Sequence, residues 1–226
     1  MNISIAGADN LNIKDVKNIS GSNSAEILES DLIFIFPESD YQNAMKVADV
    51  AKLHNILTIG IAPKGIPINF KKAVDAWLTT DDKDEPVNII RAITDLINCD
   101  GFVKIEFDDV AEVFKKAGKI IVGTGCSNKI DRAQLATNEA LQNLKLDNAK
   151  KILINITTGS NVSLNEMTEA AGIIESCANP DVDILWGHII DEDFGQWFKI
   201  TVIAILNQTN YTKNKNKICM QTSFKF

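Results

Sequence analysis

The chain has 226 residues, of which 45% are hydrophobic and 23% charged, and its net charge is −7. This balance is typical of a globular protein with one large or two small domains, and the negative charge argues against nucleic-acid binding, which normally needs a basic surface. No apolar run approaches the ~20 residues that span a bilayer and no charged-then-apolar leader opens the chain, so we expect a cytoplasmic protein without integral membrane association.

The cysteines, histidines and tryptophans indicate no special chemistry. The four cysteines lie far apart without a C-x-x-C pair, so we expect buried free thiols in a reducing compartment. His54 and His188 are isolated in the sequence, and we predict no metal site. We expect Trp77, Trp186 and Trp197 to pack in the core.

The first eighty residues alternate short apolar runs with helical patterns. The runs lie at 3–7, 32–36, 56–61 and 75–79, and none shows polar alternation, which is typical of strands buried on both faces of a parallel sheet. The segment between the second and third runs has small apolar residues at helical spacing, with Ser39 or Asp40 as its N-cap. We therefore predict a reduced Rossmann-like parallel sheet in residues 1–84 of an α/β protein.

Residues 85–117 are predicted to form a long central helix, a loop and a second helix. Asp84-Glu85-Pro86 is typical of a helix start, and an apolar face runs from Ile89 to Ile97. The second helix is predicted from about Asp108 to Ala117, closed by Gly118. This pattern predicts a helical connection between two sheet-containing halves.

Residues 118–206 predict a smaller α+β domain. Strands are expected at 119–124 and 151–158, a helix at 129–144, and a second helix from the capping box of Ser163 and Glu166 to Cys177. Two strands then follow in succession, and they can pair antiparallel with each other. Residues 207–226 form a basic tail without acidic residues, either simply solvated or in contact with an acidic partner or lipid surface.

The segment after the central helix resembles a motif of the FtsZ/tubulin family. Residues 101–110 read GFVKIEFDDV, close to the G-L-I-N-L-D-F-A-D-V of the FtsZ synergy loop. Further similarities are Gly123-x-Gly125, Asp131-Arg132-Ala133, INITTG at 154–159 and TVIA at 201–204, and the resemblance covers residues 85–206 well and 30–80 more loosely. It implies the tubulin/FtsZ-like fold: a nucleotide-fold half, a long central helix and a smaller α+β C-terminal domain.

The resemblance also implies a role for the synergy loop. In this family the loop projects into the nucleotide pocket of the next subunit, where its acidic residues polarise the water that attacks the γ-phosphate. The family's Asn corresponds to Lys104, its first Asp to Glu106 and its second Asp to Asp109. These three residues are the expected partner contact, and Glu106 and Asp109 are the catalytic candidates if any activity survives. The alternative is that Asp108 and Asp109 merely cap the following helix.

The family's glycine-rich phosphate loop is not matched. Its place after the run at 32–36 is taken by PESDYQN, residues 37–43, which contains no glycine. A phosphate cradle needs backbone amides that can be approached closely at a helix N-terminus, whereas Glu38 and Asp40 would repel an anion there. Only about 25 residues separate the first two apolar runs, which leaves little room for the family's other phosphate and ribose contacts. We therefore predict no nucleotide-binding residues and no cofactor.

These observations lead to one leading hypothesis of function and two alternatives. The leading one is a degenerate FtsZ-like cell-division or cytoskeletal protein, a pseudo-GTPase that binds or caps FtsZ or another tubulin-like filament protein. The first alternative is a diverged GTPase of cell division that still binds GTP or GDP and polymerises. The second is a small α/β domain of metabolism that shares only the fold.

Overall fold

The structure, a computed structural model, describes residues 1–8, 11–20, 23–37, 40–80, 85–98, 101, 103 and 105–206, with only the backbone at 85. Lys104, Glu38, Ser39, Asp84 and the basic tail at 207–226 lie outside the described residues. The strands are β1 Ile3–Ala6, β2 Val16–Ile19, β3 Leu32–Ile35, β4 Leu57–Ala62, β5 Ala76–Thr79, β6 Gly118–Ser127, β7 Ala149–Thr158, β8 Asp183–Ile190 and β9 Phe198–Leu206. The helices are α1 Ser24–Leu28, α2 Tyr41–Leu53, α3 Ile68–Ala73, α4 Glu85–Asn98, α5 Phe107–Phe114, α6 Arg132–Leu141 and α7 Leu164–Cys177.

The described strands form one sheet in the order β2-β1-β3-β4-β5-β6-β9-β7-β8. Neighbours from β2 to β6 run parallel, β9 is antiparallel to both β6 and β7, and β8 is parallel to β7. The two halves meet where β5 pairs with β6 over only two residue pairs. The predicted α/β architecture is confirmed.

The predicted pairing of β8 with β9 is wrong. β9 lies between β6 and β7, while β8 pairs with β7 at the edge of the sheet. Burial explains the difference. Seven of the nine residues of β9 are buried, as a central strand requires, whereas the first four residues of β8 are half-buried or exposed.

The interval between the first two predicted strands contains more structure than its sequence indicates. It holds β2 and α1, and β2 was missed because Lys17 and Asn18 are exposed at the sheet edge.

The end of the helix after the synergy loop also differs from the prediction. α5 ends at Phe114 because Lys116 adopts a left-handed φ of 55°, and Gly118 begins β6 instead of closing a helix.

Two layers of helices cover the sheet. α4 and α5 lie on one face and pack against strands of both halves, with the predicted apolar face of α4 buried at Ile89, Ile90, Ile93 and Leu96. α2 and α3 cover the opposite face of the first half, and α6 and α7 cover that of the second. A buried hydrogen bond from Asn155 Nδ2 to the Ala92 carbonyl oxygen (2.7 Å) fixes α4 on β7. The loop that follows α4 is therefore held on the second half.

Some predictions of burial were wrong. Trp77 is buried as predicted, but Trp197 is 45% exposed, and Cys126 and Cys177 are free and exposed.

In the part of the chain that the structure describes, no helix has the length and apolar character needed to cross a membrane. The described residues also include no group of three or more His, Cys, Asp or Glu side chains placed to hold a metal ion.

Candidate functional site

The loop between α4 and α5 is fixed on the edge strand β8. The backbone N–H of His188 donates to the Val103 carbonyl oxygen at 3.0 Å. Gly101 packs so closely on the same peptide that a Cβ atom there would overlap the His188 carbonyl oxygen. Ile105 at the end of the loop is 2% exposed. A close backbone approach at Gly101, a hydrogen bond at Val103 and the buried side chain of Ile105 thus hold these described residues of the loop against the second half.

Three carboxylates lie exposed where this loop enters α5. Glu106 is the N-cap residue, and Asp108 and Asp109 belong to the first turn. The Glu106 carbonyl oxygen accepts the N–H of Asp109 at 3.1 Å, but its side chain makes no capping bond. Asp108 and Asp109 lie in the first turn, where acids interact favourably with the helix dipole, so the alternative that they serve only the helix start stays a prediction. Among the described residues, none of the three carboxylates accepts a hydrogen bond or forms an ion pair, so all three can reach a partner.

The middle of α5 is tied to the second half of the sheet. Lys151 on β7 places its Nζ 2.8 Å from Glu112 Oε1 and 3.6 Å from Asp183 Oδ2. The hydrogen bond between Lys151 and Glu112 raises the pKa of the lysine and lowers that of the glutamate. The exposed carboxylates at the start of α5 are thereby carried on a helix with a fixed orientation.

His188, whose backbone contacts the loop, has a buried side chain. Its side chain is 1% exposed, and its Nε2 lies 2.8 Å from Thr158 Oγ1 on β7. Burial lowers the pKa of the imidazole because the charged form loses hydration. His188 is therefore neutral at pH 7, and it contacts the loop through its backbone N–H and carbonyl group.

The carboxyl edge of the first half carries the start of α2, at the position where the sequence does not match the family's phosphate loop. Asp40 is the N-cap residue of α2, as one of the two predicted possibilities had it, and its Oδ1 accepts the N–H of Asn43 at 3.0 Å. The Asn43 side chain donates to the Ser20 carbonyl oxygen at 2.7 Å, which ties the first turn of α2 to the end of β2. Gly7 has a φ of 82°, and a Cβ atom there would overlap the Phe36 carbonyl oxygen. This helix start is thus satisfied by the protein's own carboxylate and held by an intramolecular contact.

A buried arginine organises the far end of the second half. Arg132 is 7% exposed and donates five hydrogen bonds, which use every N–H of its guanidinium group. Two reach the Glu166 carboxylate at 2.6 and 3.2 Å, two reach Asn161, and one reaches the Gln196 carbonyl oxygen. These bonds lower the pKa of Glu166, which also completes the predicted capping box with Ser163. The sequence indicated the box, but its connection to Arg132 depends on the fold.

Comparison with known proteins supports the assignment of the second half and of the fold. Residues 118–206 match the sequence profile of the FtsZ family's C-terminal domain. The chain is 28% identical to the cell division protein FtsZ of Pseudomonas aeruginosa over 224 residues, covering 80% of this chain and 57% of the relative. Identity to the FtsZ of Pseudomonas putida is also 28%, over 197 residues, with 70% and 50% covered. The chain spans about half the length of the curated relatives it matches.

Solved structures agree at the level of the fold. An FtsZ dimer from M. jannaschii superposes with a TM-score of 0.76 at 18% identity, covering 92% of this chain and 89% of the other. TubZ from Bacillus thuringiensis serovar israelensis, solved as GDP-form protofilaments, gives 0.58 at 10% identity, with 84% and 66% covered. The sheet with helices on both faces, the bridging α4 and the matched second half agree with these findings. The chain is thus FtsZ-like: residues 118–206 match the C-terminal domain of the FtsZ family, and the fold of the chain is similar to those of FtsZ and TubZ.

Proposed function

We propose that this FtsZ-like protein serves cell division as a partner of a filament-forming protein, FtsZ or another tubulin-like protein, and does not hold its own guanine nucleotide. The observation that carries the proposal is the start of α2. Its first turn is capped by Asp40 and tied to residue 20 through Asn43. An anionic phosphate at this position would face a carboxylate instead of free backbone amides.

The opposite end of the molecule supports partner binding. The loop before α5 is fixed on β8, and the carboxylates of Glu106 and Asp109 are exposed without partners among the described residues. In the family this loop enters the nucleotide pocket of the next subunit. We infer that Glu106 and Asp109 contact the exposed nucleotide face of a filament subunit, and that Lys104 contributes a cation near its phosphates.

The difference between the two ends gives the interaction a direction. A subunit that docks through its α5 end but offers no nucleotide face stops further addition at the end where it binds. The protein therefore caps one end of a filament and shortens filaments at substoichiometric amounts. GTP hydrolysis by the protein itself is lost under this proposal.

A second candidate function is a diverged GTPase that still binds GTP and polymerises. The exposed carboxylates Glu106 and Asp109 favour it, because these are the positions that polarise the attacking water in the family. The two proposals differ in one respect: the second requires guanine nucleotide on this chain, and the first requires it only on the partner.

Light scattering of the producing organism's FtsZ with GTP and magnesium tests the capping proposal. Wild-type protein at substoichiometric amounts is expected to reduce scattering and filament length, and the Asp109→Arg variant to have a much weaker effect. The matched control is Asp49→Arg, the same substitution at an exposed position of α2 on the opposite face of the sheet. Unchanged filaments with wild-type protein, or equal inhibition by Asp109→Arg, would show that capping through this loop is wrong.

A further inference from the structure

A lysine-lined cavity opens at the edge of the sheet opposite to Gly7 and Asp40. It has a volume of about 620 Å³ and lies where β4, β5 and β6 begin. Its wall includes Ile56 before β4, Asp75 before β5 and Leu206 at the end of the antiparallel β9. The cavity is therefore a feature of the junction between the two halves.

The charge of this cavity is opposite to that of the whole chain. The net charge of the protein is −7, yet the cavity is lined by six lysines and one aspartate. The lysines come from α2, α3, β6 and the segment after α5: Lys52, Lys71, Lys72, Lys115, Lys116 and Lys119. Within the described part of the chain, no ion pair with a carboxylate involves the first five of them. The local positive potential is thus not neutralised by these pairs.

The single carboxylate in the cavity is already engaged. Asp75 Oδ2 accepts the backbone N–H and the hydroxyl of Thr58, both at 3.0 Å, and Oδ1 accepts the N–H of Lys116 at 3.3 Å. Asp75 therefore joins the starts of β4 and β5 to the segment after α5. Its hydrogen bonds explain its presence, and it leaves most of the lysine charge uncompensated.

Neutral groups orient several of the ammonium groups. Lys71 Nζ lies 4.4 Å from the centroid of the Trp77 ring, and Lys52 Nζ donates to the Lys72 carbonyl oxygen at 3.2 Å. Lys115 Nζ donates to the carbonyl and side-chain oxygens of Asn55. These contacts position the cations without cancelling their charge.

We propose that this cavity binds a compact polyphosphate anion, such as inorganic tripolyphosphate or the triphosphate group of a free nucleotide. Its volume lies within the range of small-molecule sites, roughly 300–1,000 Å³, and lysines bind phosphate as point charges. The tail at 207–226 has four lysines and no acid, so its charge has the same sign as that of the cavity and does not favour it as the occupant. An acidic peptide is disfavoured because the strands at the cavity are interior strands with no free edge to extend.

Calorimetric titration of the full chain with tripolyphosphate tests the proposal. We expect the affinity to increase from phosphate to pyrophosphate to tripolyphosphate, to decrease with salt, and to be similar for ATP and GTP, since recognition rests on ammonium groups. The variant Lys72→Glu/Lys116→Glu removes two exposed lysines whose side chains make no hydrogen bond or ion pair within the described residues. We expect it to weaken tripolyphosphate binding by about tenfold or more.

A second pair of lysines provides the matched control. Lys145→Glu/Lys150→Glu makes the same change in net charge at exposed positions that do not line the cavity, and we expect the affinity to change by less than about twofold. Thermal unfolding shows whether the variants are folded, and Lys72→Gln/Lys116→Gln replaces the glutamate pair if that pair fails to fold.

Four outcomes would overturn the proposal: no binding of tripolyphosphate by the wild type, equal loss in both pairs of variants, tighter binding of an oligothymidylate or a polyglutamate peptide than of tripolyphosphate, or a marked preference for GTP over ATP. The last of these would also point to a guanine site elsewhere in the chain. A site that binds tripolyphosphate without guanine preference leaves the capping proposal unaffected, so the two proposals fail separately.

Discussion

Replacing Gly101 by alanine tests whether the loop before α5 is held on β8 as the structure describes. The new Cβ atom would overlap the His188 carbonyl oxygen and lie 2.5 Å from its carbon, whereas real Cβ atoms essentially never come within 3.0 Å. The loop must move away, and the hydrogen bond from His188 N–H to Val103 is lost or lengthened. Overpacking costs about 1–3 kcal/mol and a hydrogen bond about 1 kcal/mol, so we expect a destabilisation of roughly 2–4 kcal/mol.

The same substitution at Gly172 is the control, and the expected sign is opposite. Gly172 lies within α7, and a Cβ atom there meets nothing within 4 Å. Alanine in a helix interior is favoured over glycine by about 0.5–1 kcal/mol. At about 2–4 °C per kcal/mol for a chain of this size, Gly101→Ala should lower Tm by roughly 4–16 °C and Gly172→Ala should raise it by roughly 1–4 °C. Equal shifts for both variants in thermal or urea unfolding would refute the described position of the loop.

Three further predictions concern other parts of the fold. Arg132→Lys should lower the free energy of unfolding in urea by about 2–4 kcal/mol, because one ammonium group cannot replace five guanidinium hydrogen bonds. The control Arg91→Lys, at an exposed position of α4, should change it by less than about 0.5 kcal/mol, and equal losses would contradict the role of Arg132. Burial lowers the pKa of His188 in the folded protein below the ordinary histidine value of 6.5. The free energy of unfolding should therefore fall as the pH decreases below 6.5, by at most about 1.4 kcal/mol per pH unit, and the His188→Gln variant should lose this pH dependence. Asp40→Ala should cost about 1 kcal/mol through loss of the α2 cap, and an unchanged unfolding midpoint would contradict that role.

The features predicted correctly from the sequence are those that depend on residues close together along the chain. The buried face of α4 follows from the spacing of Ile89, Ile90 and Ile93, and the capping box at Ser163 follows from the position of Glu166. The order of strands depends on contacts between distant segments. For this reason the place of β9 between β6 and β7 was not predicted, and the short edge strand β2 was missed.

The candidate partner-contact residues came from a local sequence motif, and their roles stay predictions. The synergy-loop resemblance pointed to Glu106 and Asp109, and the structure places both exposed at the start of α5, although their proposed roles await experiment. The lysine cavity had no signal in the sequence. Lys52, Lys72 and Lys116 come from separate segments, and each alone has the pattern of a solvated surface lysine. Only the fold places them around one cavity.

The most direct test of the central claim is to measure the guanine nucleotide carried and bound by the purified full chain. Acid release and chromatography give the nucleotide content, and equilibrium dialysis with GTP, GDP and ATP gives the affinity. We predict far less than one guanine nucleotide per chain and no preference for GTP over ATP, because Asp40 occupies the start of α2. One tightly held GDP or GTP per chain, or micromolar binding selective for guanine, would contradict the loss of the nucleotide pocket and favour the diverged GTPase.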